Sequence, residues 1–208
     1  MTPIDSPTVL IVEDDVRMSA AMKRLLKTVG LHSEAFATPE DFLRYKLPDR
    51  PRCLILDVRL PGMSGLDVQS KLLEVGVQIP IIFVTSHADV PMTVRALKLG
   101  AVEFLTKPFR DQDLIDAIHQ ALARDREVRQ QQNEVTELKE RYASLTSRER
   151  EVMRLMASGR LTKQIASTLG TTEVTATVHR GQVMRKMKAN SPAELGRMAE
   201  KLKLPVIN

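Results

Sequence analysis

A chain of 208 residues with 43% hydrophobic and 27% charged residues has the composition of a water-soluble globular protein with room for two small domains. The longest apolar run, residues 79–84 with Pro80 inside it, is far too short to span a bilayer, and residues 1–7 lack a charged-then-apolar leader pattern, so a cytoplasmic protein without membrane contact is expected. The single cysteine, Cys53, excludes an internal disulfide and lies in an apolar run, as a buried structural thiol would.

The first part of the chain alternates short β-type runs with amphipathic helices. Strands are expected at residues 8–12, 33–36, 53–57, 80–85 and 102–105. Helices are expected at 16–29, from Pro39, at 65–75, at 91–99 and from Asp111. Five strands each followed by a helix predict a parallel sheet covered on both faces. The third and fourth strands are continuous apolar runs, as strands buried on both faces should be.

Residues 124–141 are charged, rich in Gln and free of Gly and Pro. Val128, Val135 and Tyr142 recur every seven residues, as do Leu138 and Leu145. A helical linker extending the preceding helix and a coiled coil both fit this pattern, and the linker fits the polar intervening positions better. From Leu145 onward the pattern is helical. Thr146-Ser147-Arg148-Glu149 and Ser191-Pro192-Ala193-Glu194 are capping boxes. Thr162 and Thr172 are expected to cap two further helices, ending at Gly170 and near Lys188. The expected division is 1–123, a linker at 124–141, and 142–208.

The net charge of +5 is unevenly spread. Residues 1–123 hold 14 Lys/Arg against 16 Asp/Glu, whereas residues 142–208 hold 12 against five. A mildly acidic body joined to a basic tail suits nucleic-acid binding by the tail.

Chemistry-bearing residues fall at four strand ends. Glu13, Asp14 and Asp15 follow the first strand, Asp57 ends the third, Thr85 ends the fourth and Lys107 follows the fifth. In an open parallel sheet, the carboxyl ends of the strands form the binding crevice. Clustered carboxylates repel unless a cation neutralises them, and oxygen ligands of this kind suit Mg²⁺ beside a phosphate. An Asp can serve as nucleophile and form an aspartyl phosphate. Lys107 and the Thr85 hydroxyl can then contact phosphoryl oxygens. Helix capping by Asp14 or Asp15 would explain one such residue, not four strand ends that agree. The four histidines have no metal-ligand spacing. His87 follows Thr85 closely, as a loop residue near the crevice.

Residues 8–122 resemble the receiver domain of two-component response regulators. The resemblance rests on Ile11-Val12-Glu13-Asp14-Asp15, on Leu56-Asp57-Val58-Arg59-Leu60-Pro61-Gly62-Met63-Ser64-Gly65, on Val84-Thr85 and on Lys107-Pro108-Phe109. It implies a flavodoxin-like strand order of 2-1-3-4-5, Asp57 as phosphoacceptor, and Mg²⁺ held by Glu13, Asp14, Asp57 and the Arg59 backbone carbonyl. It further implies Thr85 and Lys107 on the phosphoryl group, Thr85 and Phe104 as switch residues, and a cis Lys107–Pro108 peptide. Glu13 stands where Asp is common in that family, and its longer arm would alter metal affinity or dephosphorylation rate.

The Thr162 helix, the turn at Gly170-Thr171 and the Thr172 helix form a helix-turn-helix pattern. Ile165, Ala166 and Leu169 suit burial on the first helix. Val174, Met184 and Met187 suit core packing on the second. Lys163, Gln164, Thr175, Thr177, Val178, Arg180, Gln182 and Arg185 are the candidates for DNA contact, since small polar and Arg side chains can read base edges or hold phosphates. Residues 145–203 resemble the LuxR-type DNA-binding domain, an all-α four-helix unit. The match runs through Leu145-Thr146-Ser147-Arg148-Glu149-Arg150-Glu151-Val152, Lys163-Gln164-Ile165-Ala166 and residues 175–187. Joined to a receiver, it is similar to the FixJ/NarL group of transcription regulators. Thr177 departs from the Lys frequent there, and Gly181 removes a side chain from the same face.

The resemblance therefore implies a DNA-binding regulator rather than an enzyme. A sensor histidine kinase would phosphorylate Asp57. The receiver would then dimerise through the Pro91 helix, the fifth strand and the last helix, or would release an inhibited DNA-binding domain. Double-stranded promoter DNA and a second copy of the chain are the expected partners, and RNA polymerase is a further partner that the resemblance allows. Two other classes compete with this reading. A phosphatase with an Asp nucleophile would want a carboxylate at position 59, where Arg stands. A phosphorylated interaction module would use its basic tail on RNA or protein; single-stranded RNA would want stacking aromatics, and the tail has only Tyr142.

Overall fold

The computed structural model describes residues 6–205. The first unit runs to Arg129 and the second begins at Gln130. The first contains β1 (Thr8–Val12), α1 (Val16–Thr28), β2 (His32–Phe36), α2 (Pro39–Arg44), β3 (Arg52–Asp57), α3 (Gly65–Glu74), β4 (Ile81–Thr85), α4 (Val90–Lys98) and β5 (Glu103–Thr106). Helix α5 (Asp111–Ala143) follows, and the boundary between the units falls inside it. The second unit adds α6 (Ser147–Ala157), α7 (Thr162–Thr168), α8 (Glu173–Met187) and α9 (Pro192–Lys201).

All strand pairs are parallel, in the order β2-β1-β3-β4-β5. The period-two alternation of strand side chains explains the two cores. Leu10, Val12, Leu54, Leu56 and Phe83 face one way and pack with Phe42, Leu66, Val68, Leu72 and Ala96 from α2, α3 and α4. Val9, Ile11, Cys53, Ile55, Ile82 and Val84 face the other way and pack with Met22 and Leu26 of α1 and with Leu114, Ile118 and Leu122 of α5. Every residue of β1 and β4 is buried. Apolar residues in β1 and β4 therefore serve both faces, and the sequence there runs apolar without alternation.

As expected, residues 124–141 extend the preceding helix, continuing α5 without a break. Its first residues belong to the receiver-like unit: the Asp125 carboxylate accepts the Arg52 backbone N–H at 3.0 Å, and Arg129 pairs with Asp49. Leu138 and Tyr142 instead pack into the core of the second unit with Leu145, Val152, Met156, Ile165, Val183, Met187 and Leu195.

Helix starts follow the capping residues, with two corrections. Thr146 and Glu149 form the reciprocal box, and Thr172 accepts from the Thr175 N–H. Thr162 is the first residue of α7 and not its cap. The cap position is Leu161, whose N–H is taken by Gln164 Oε1 at 2.8 Å. Ser191 caps α9, but the Glu194 carboxylate reaches the N–H of Asn190, one residue earlier than a reciprocal box requires.

Val174 is 75% exposed and does not join the core. The buried stripe of α8 is Ala176, Val183 and Met187, with Met184 partly buried. At about 100° per residue, Val174 lies some 200° around the helix from Ala176 and faces away. Residues 1–5, within the segment read for a leader, lie outside the described residues.

Candidate functional site

The carboxyl ends of β1, β3, β4 and β5 bring the predicted residues into one crevice. Backbone hydrogen bonds at the strand ends set Glu13 and Lys107. The Glu13 N–H donates to Phe36 O at 3.1 Å, and the Lys107 N–H donates to Thr85 O at 2.8 Å. Open space of about 580 Å³ is lined by Glu13, Asp14, Asp57, Arg59, Thr85 and Lys107, with His87 among the neighbours.

Three carboxylates meet here. One oxygen each from Glu13, Asp14 and Asp57 lies within 4.8 Å of the others. Glu13 and Asp57 are buried, and Asp14 is exposed. Asp15, next in the chain, is the N-cap of α1: its Oδ1 accepts from the Arg17 and Met18 N–H groups at 2.7 and 3.2 Å. These two bonds hold its carboxyl below the usual aspartate range. Capping therefore occupies Asp15, and among the described residues no helix cap involves Asp14.

Asp57 is 6% exposed. Its Oδ1 accepts the Arg59 backbone N–H at 2.9 Å, and its Oδ2 accepts from Lys107 Nζ at 2.7 Å. Lys107 Nζ also donates to Glu13 Oε2 at 2.6 Å. Burial raises the Glu13 pKa by more than Lys107 lowers it, and the neighbouring Asp57 charge pushes the same way as burial. Burial disfavours the Lys107 ammonium, but the hydrogen bonds and charges of Asp57 and Glu13 outweigh it and leave the pKa raised. The cluster is a group of oxygen donors with one internal cation, a donor set that suits Mg²⁺.

Thr85 is fully buried, and its Oγ1 accepts the His87 N–H at 3.3 Å. His87 is an exposed loop residue at the crevice. Phe104 is partly buried and lies against Phe83 with ring centroids 5.9 Å apart. The Lys107–Pro108 peptide is cis.

Sequence reasoning assigned no role to Gly65. The Gly65 N–H donates to Val58 O, and a Cβ built at this position would lie 2.3 Å from the Asp57 carbonyl oxygen. Only glycine lets α3 begin this close to the backbone of Asp57. Its place in the Asp57 loop motif was the available signal. The Lys107–Glu13 contact also went unforeseen, because nothing in the spacing says which carboxylates a lysine will bridge.

In the second unit, α7 and α8 are joined through Gly170, whose φ of +61° suits glycine at a helix end. Lys163, Gln164, Thr175, Thr177 and Arg185 are exposed, as is Val178 at 54%, and Arg180 and Gln182 are partly exposed. The Thr177 hydroxyl donates back to Glu173 O at 2.8 Å, and Arg180 Nη1 donates to Arg160 O at 3.4 Å. A Cβ at Gly181 would meet nothing within 4 Å, so that position opens to solvent. The eight candidates thus share the accessible part of the α7–α8 pair.

Comparison with known proteins agrees with both halves. Residues 9–119 match the response regulator receiver domain family, and residues 143–199 match the bacterial regulatory proteins, luxR family. The chain is 50% identical over 194 residues to nodulation protein W of Bradyrhizobium diazoefficiens, covering 93% of this chain and 86% of that protein. It is 46% identical over 195 residues to response regulator protein TodT of Pseudomonas putida, covering 94% and 86%. Among solved structures, the response regulator StyR is similar, with a TM-score of 0.85, 44% identity and coverage of 94% of this chain and 99% of that one.

Proposed function

Because the chain belongs to the response regulators that join a receiver domain to a luxR-family DNA-binding domain, and is a transcriptional regulator rather than an enzyme, we propose that Asp57 is its phosphoacceptor and that the accessible part of α7 and α8 carries its DNA contacts. The single observation that most supports this is the bridging of Asp57 and Glu13 by Lys107 beside an exposed Asp14.

In this reading an Asp57 carboxylate oxygen attacks the phosphorus of a phosphohistidine on a sensor kinase. The P–N bond breaks, the kinase imidazole regains a nitrogen lone pair, and an acyl phosphate forms on Asp57. Glu13, Asp14 and Asp57, with the Arg59 carbonyl, would hold Mg²⁺, which supplies charge neutralisation for the carboxylates and the phosphoryl oxygens. Lys107 stays on the phosphoryl group as a fixed cation, and Thr85 turns its hydroxyl towards a phosphoryl oxygen. Phe104 would move with Thr85, coupling the crevice to α4 and β5.

The output is binding of double-stranded promoter DNA. Lys163 and Arg185 would serve phosphates. Thr175, Thr177, Val178, Arg180 and Gln182, with Gln164, would meet base edges or the backbone. Homodimerisation through α4, β5 and α5 would bring two such helices to a two-fold related site. The exposed Val90, Val94 and Leu97 of α4 support that surface. RNA polymerase would be met at the promoter. No helix of the described residues is long and apolar enough to cross a membrane, and we place the protein in the cytoplasm.

The test is incubation with acetyl phosphate and Mg²⁺, followed by intact mass and by DNA binding. One base-labile phosphoryl adduct, absent without Mg²⁺ and absent in Asp57→Asn, is the expected result, with tighter binding to duplex DNA than to RNA. An adduct that persists in Asp57→Asn would move the phosphoacceptor elsewhere.

A further inference from the structure

A second concavity lies in the receiver unit, apart from the acidic crevice. It is a cleft of about 340 Å³ between α3, the start of β4, the end of α4 and α5. That volume falls at the lower end of the range for small-molecule sites, about 300–1,000 Å³. Its walls are mostly aliphatic, with Leu72, Leu73, Val77, Ile79, Leu99 and Val128 among them.

One polar group in this wall is unexplained. Gln69 lines the cleft and is 2% exposed. Its Nε2 donates to Ala96 O and Leu99 O at 3.2 and 3.3 Å, which fixes which end of the amide is nitrogen. Its Oε1 is buried with no hydrogen-bond partner among the described residues. A buried acceptor without a donor is costly, and native proteins seldom leave one unpaired. The charged groups of the cleft have partners: Asp125 accepts the Arg52 N–H, and Arg124 Nη1 reaches Gly100 O at 3.4 Å. The missing complement is a donor and not a charge.

We propose that this cleft binds a small, uncharged, largely apolar molecule carrying one hydrogen-bond donor, an alcohol or phenol in chemical class, with the donor paired to Gln69 Oε1. The apolar body replaces water against Leu72, Val77 and Val128, and the hydroxyl supplies the bond that Gln69 lacks. Oε1 is closed off from water, so a ligand reaches it only by parting neighbouring side chains. Leu73, on the same wall and 50% exposed, has solvent to move into. The ligand would sit against Leu99, whose carbonyl Gln69 already holds. This site goes beyond phosphorylation and DNA binding, and its test needs neither.

The test is an amide NMR titration of the full chain with phenol, and with benzene as a probe of similar shape lacking the donor. Saturable shifts centred on Leu72, Val77, Leu99 and Gly100 are expected. Phenol should bind about fivefold more tightly than benzene, the effect of one net hydrogen bond. Gln69→Leu should erase that preference. Leu73→Trp, a change at a half-exposed position, should fill the cleft and abolish binding while the remaining amide spectrum is kept, and it decides the matter should Gln69→Leu not fold. Equal affinity for phenol and benzene would overturn the assignment. So would shifts unaffected by Leu73→Trp, or no saturable shift at all, which would leave Gln69 Oε1 to an ordered water.

Discussion

Lys107 Nζ lies 2.6 Å from Glu13 Oε2, although 94 residues separate the two in the chain. The same ammonium lies 2.7 Å from Asp57 Oδ2. One cation therefore offsets two buried carboxylates, of which Glu13 has a side chain only 1% exposed and Asp57 one 9% exposed. Removing that cation leaves both without a charge partner.

Lys107→Met should therefore destabilise the receiver by about 1–3 kcal/mol in the absence of Mg²⁺. Added Mg²⁺ should recover much of the loss, since a divalent ion among Glu13, Asp14 and Asp57 replaces the missing charge. Urea midpoints with and without Mg²⁺ check this. The variant should gain more from Mg²⁺ than the unaltered chain, and equal gains would place the ion elsewhere.

Gly65→Ala should cost about 1–3 kcal/mol by overpacking. The neighbour that must give is the Asp57 backbone carbonyl, 2.3 Å from the new methyl, with Leu56 Cγ at 3.1 Å behind it. A backbone carbonyl cannot swing aside like a flexible side chain. Phosphorylation by acetyl phosphate should slow along with the loss of stability. Chemical denaturation and the rate of adduct formation measure the two effects.

Glu149 ties the start of α6 to α8. Its Oε2 accepts from Lys186 Nζ at 2.6 Å and from the Thr146 N–H at 2.7 Å. The Lys186 hydrogen bond, followed by the Thr146 N–H, lowers its pKa from the ordinary value of 4.5. A depressed acid contributes stability that is present above its unfolded pKa and lost as pH falls through the folded one. Glu149→Ala should cost the second unit about 1–2 kcal/mol near neutral pH, as a lost cap and ion pair. The penalty should shrink as pH falls below about 4.5, and amide exchange in α6 under mild urea should follow it.

Two apolar changes on α8 should separate DNA contact from folding. Met187 is fully buried, and Met187→Ala should cost about 2–5 kcal/mol. Val178 is 54% exposed, and Val178→Ala should move stability by no more than about 0.5 kcal/mol while weakening duplex binding. Thermal unfolding and fluorescence anisotropy with promoter DNA distinguish the two. Unchanged DNA affinity in Val178→Ala would remove that residue from the contact surface.

The sequence by itself determined the element types, because periodicity is local. Runs of five or six apolar residues predict buried strands wherever they occur, and Thr146 with Glu149 predicts a helix start without knowledge of the fold. Glu13, Asp57, Thr85 and Lys107 could be grouped in advance because a parallel sheet puts all its strand ends on one edge. Tertiary structure decided the facts that depend on direction and distance. Val174 reads as a core residue by type, yet it points outward because the stripe through Ala176, Val183 and Met187 sets the rotation of α8. Thr162 reads as a cap, yet the chain enters α7 one residue earlier, where Leu161 has no side-chain acceptor and Gln164 reaches back. The polar segment at 124–141 reads as a continuation of the preceding helix and is one, but which unit Asp125 and Leu138 join is set by partners far away in the chain. Side-chain pairing across such separations is settled by packing geometry at the ångström scale, and residue spacing along one chain carries no record of it.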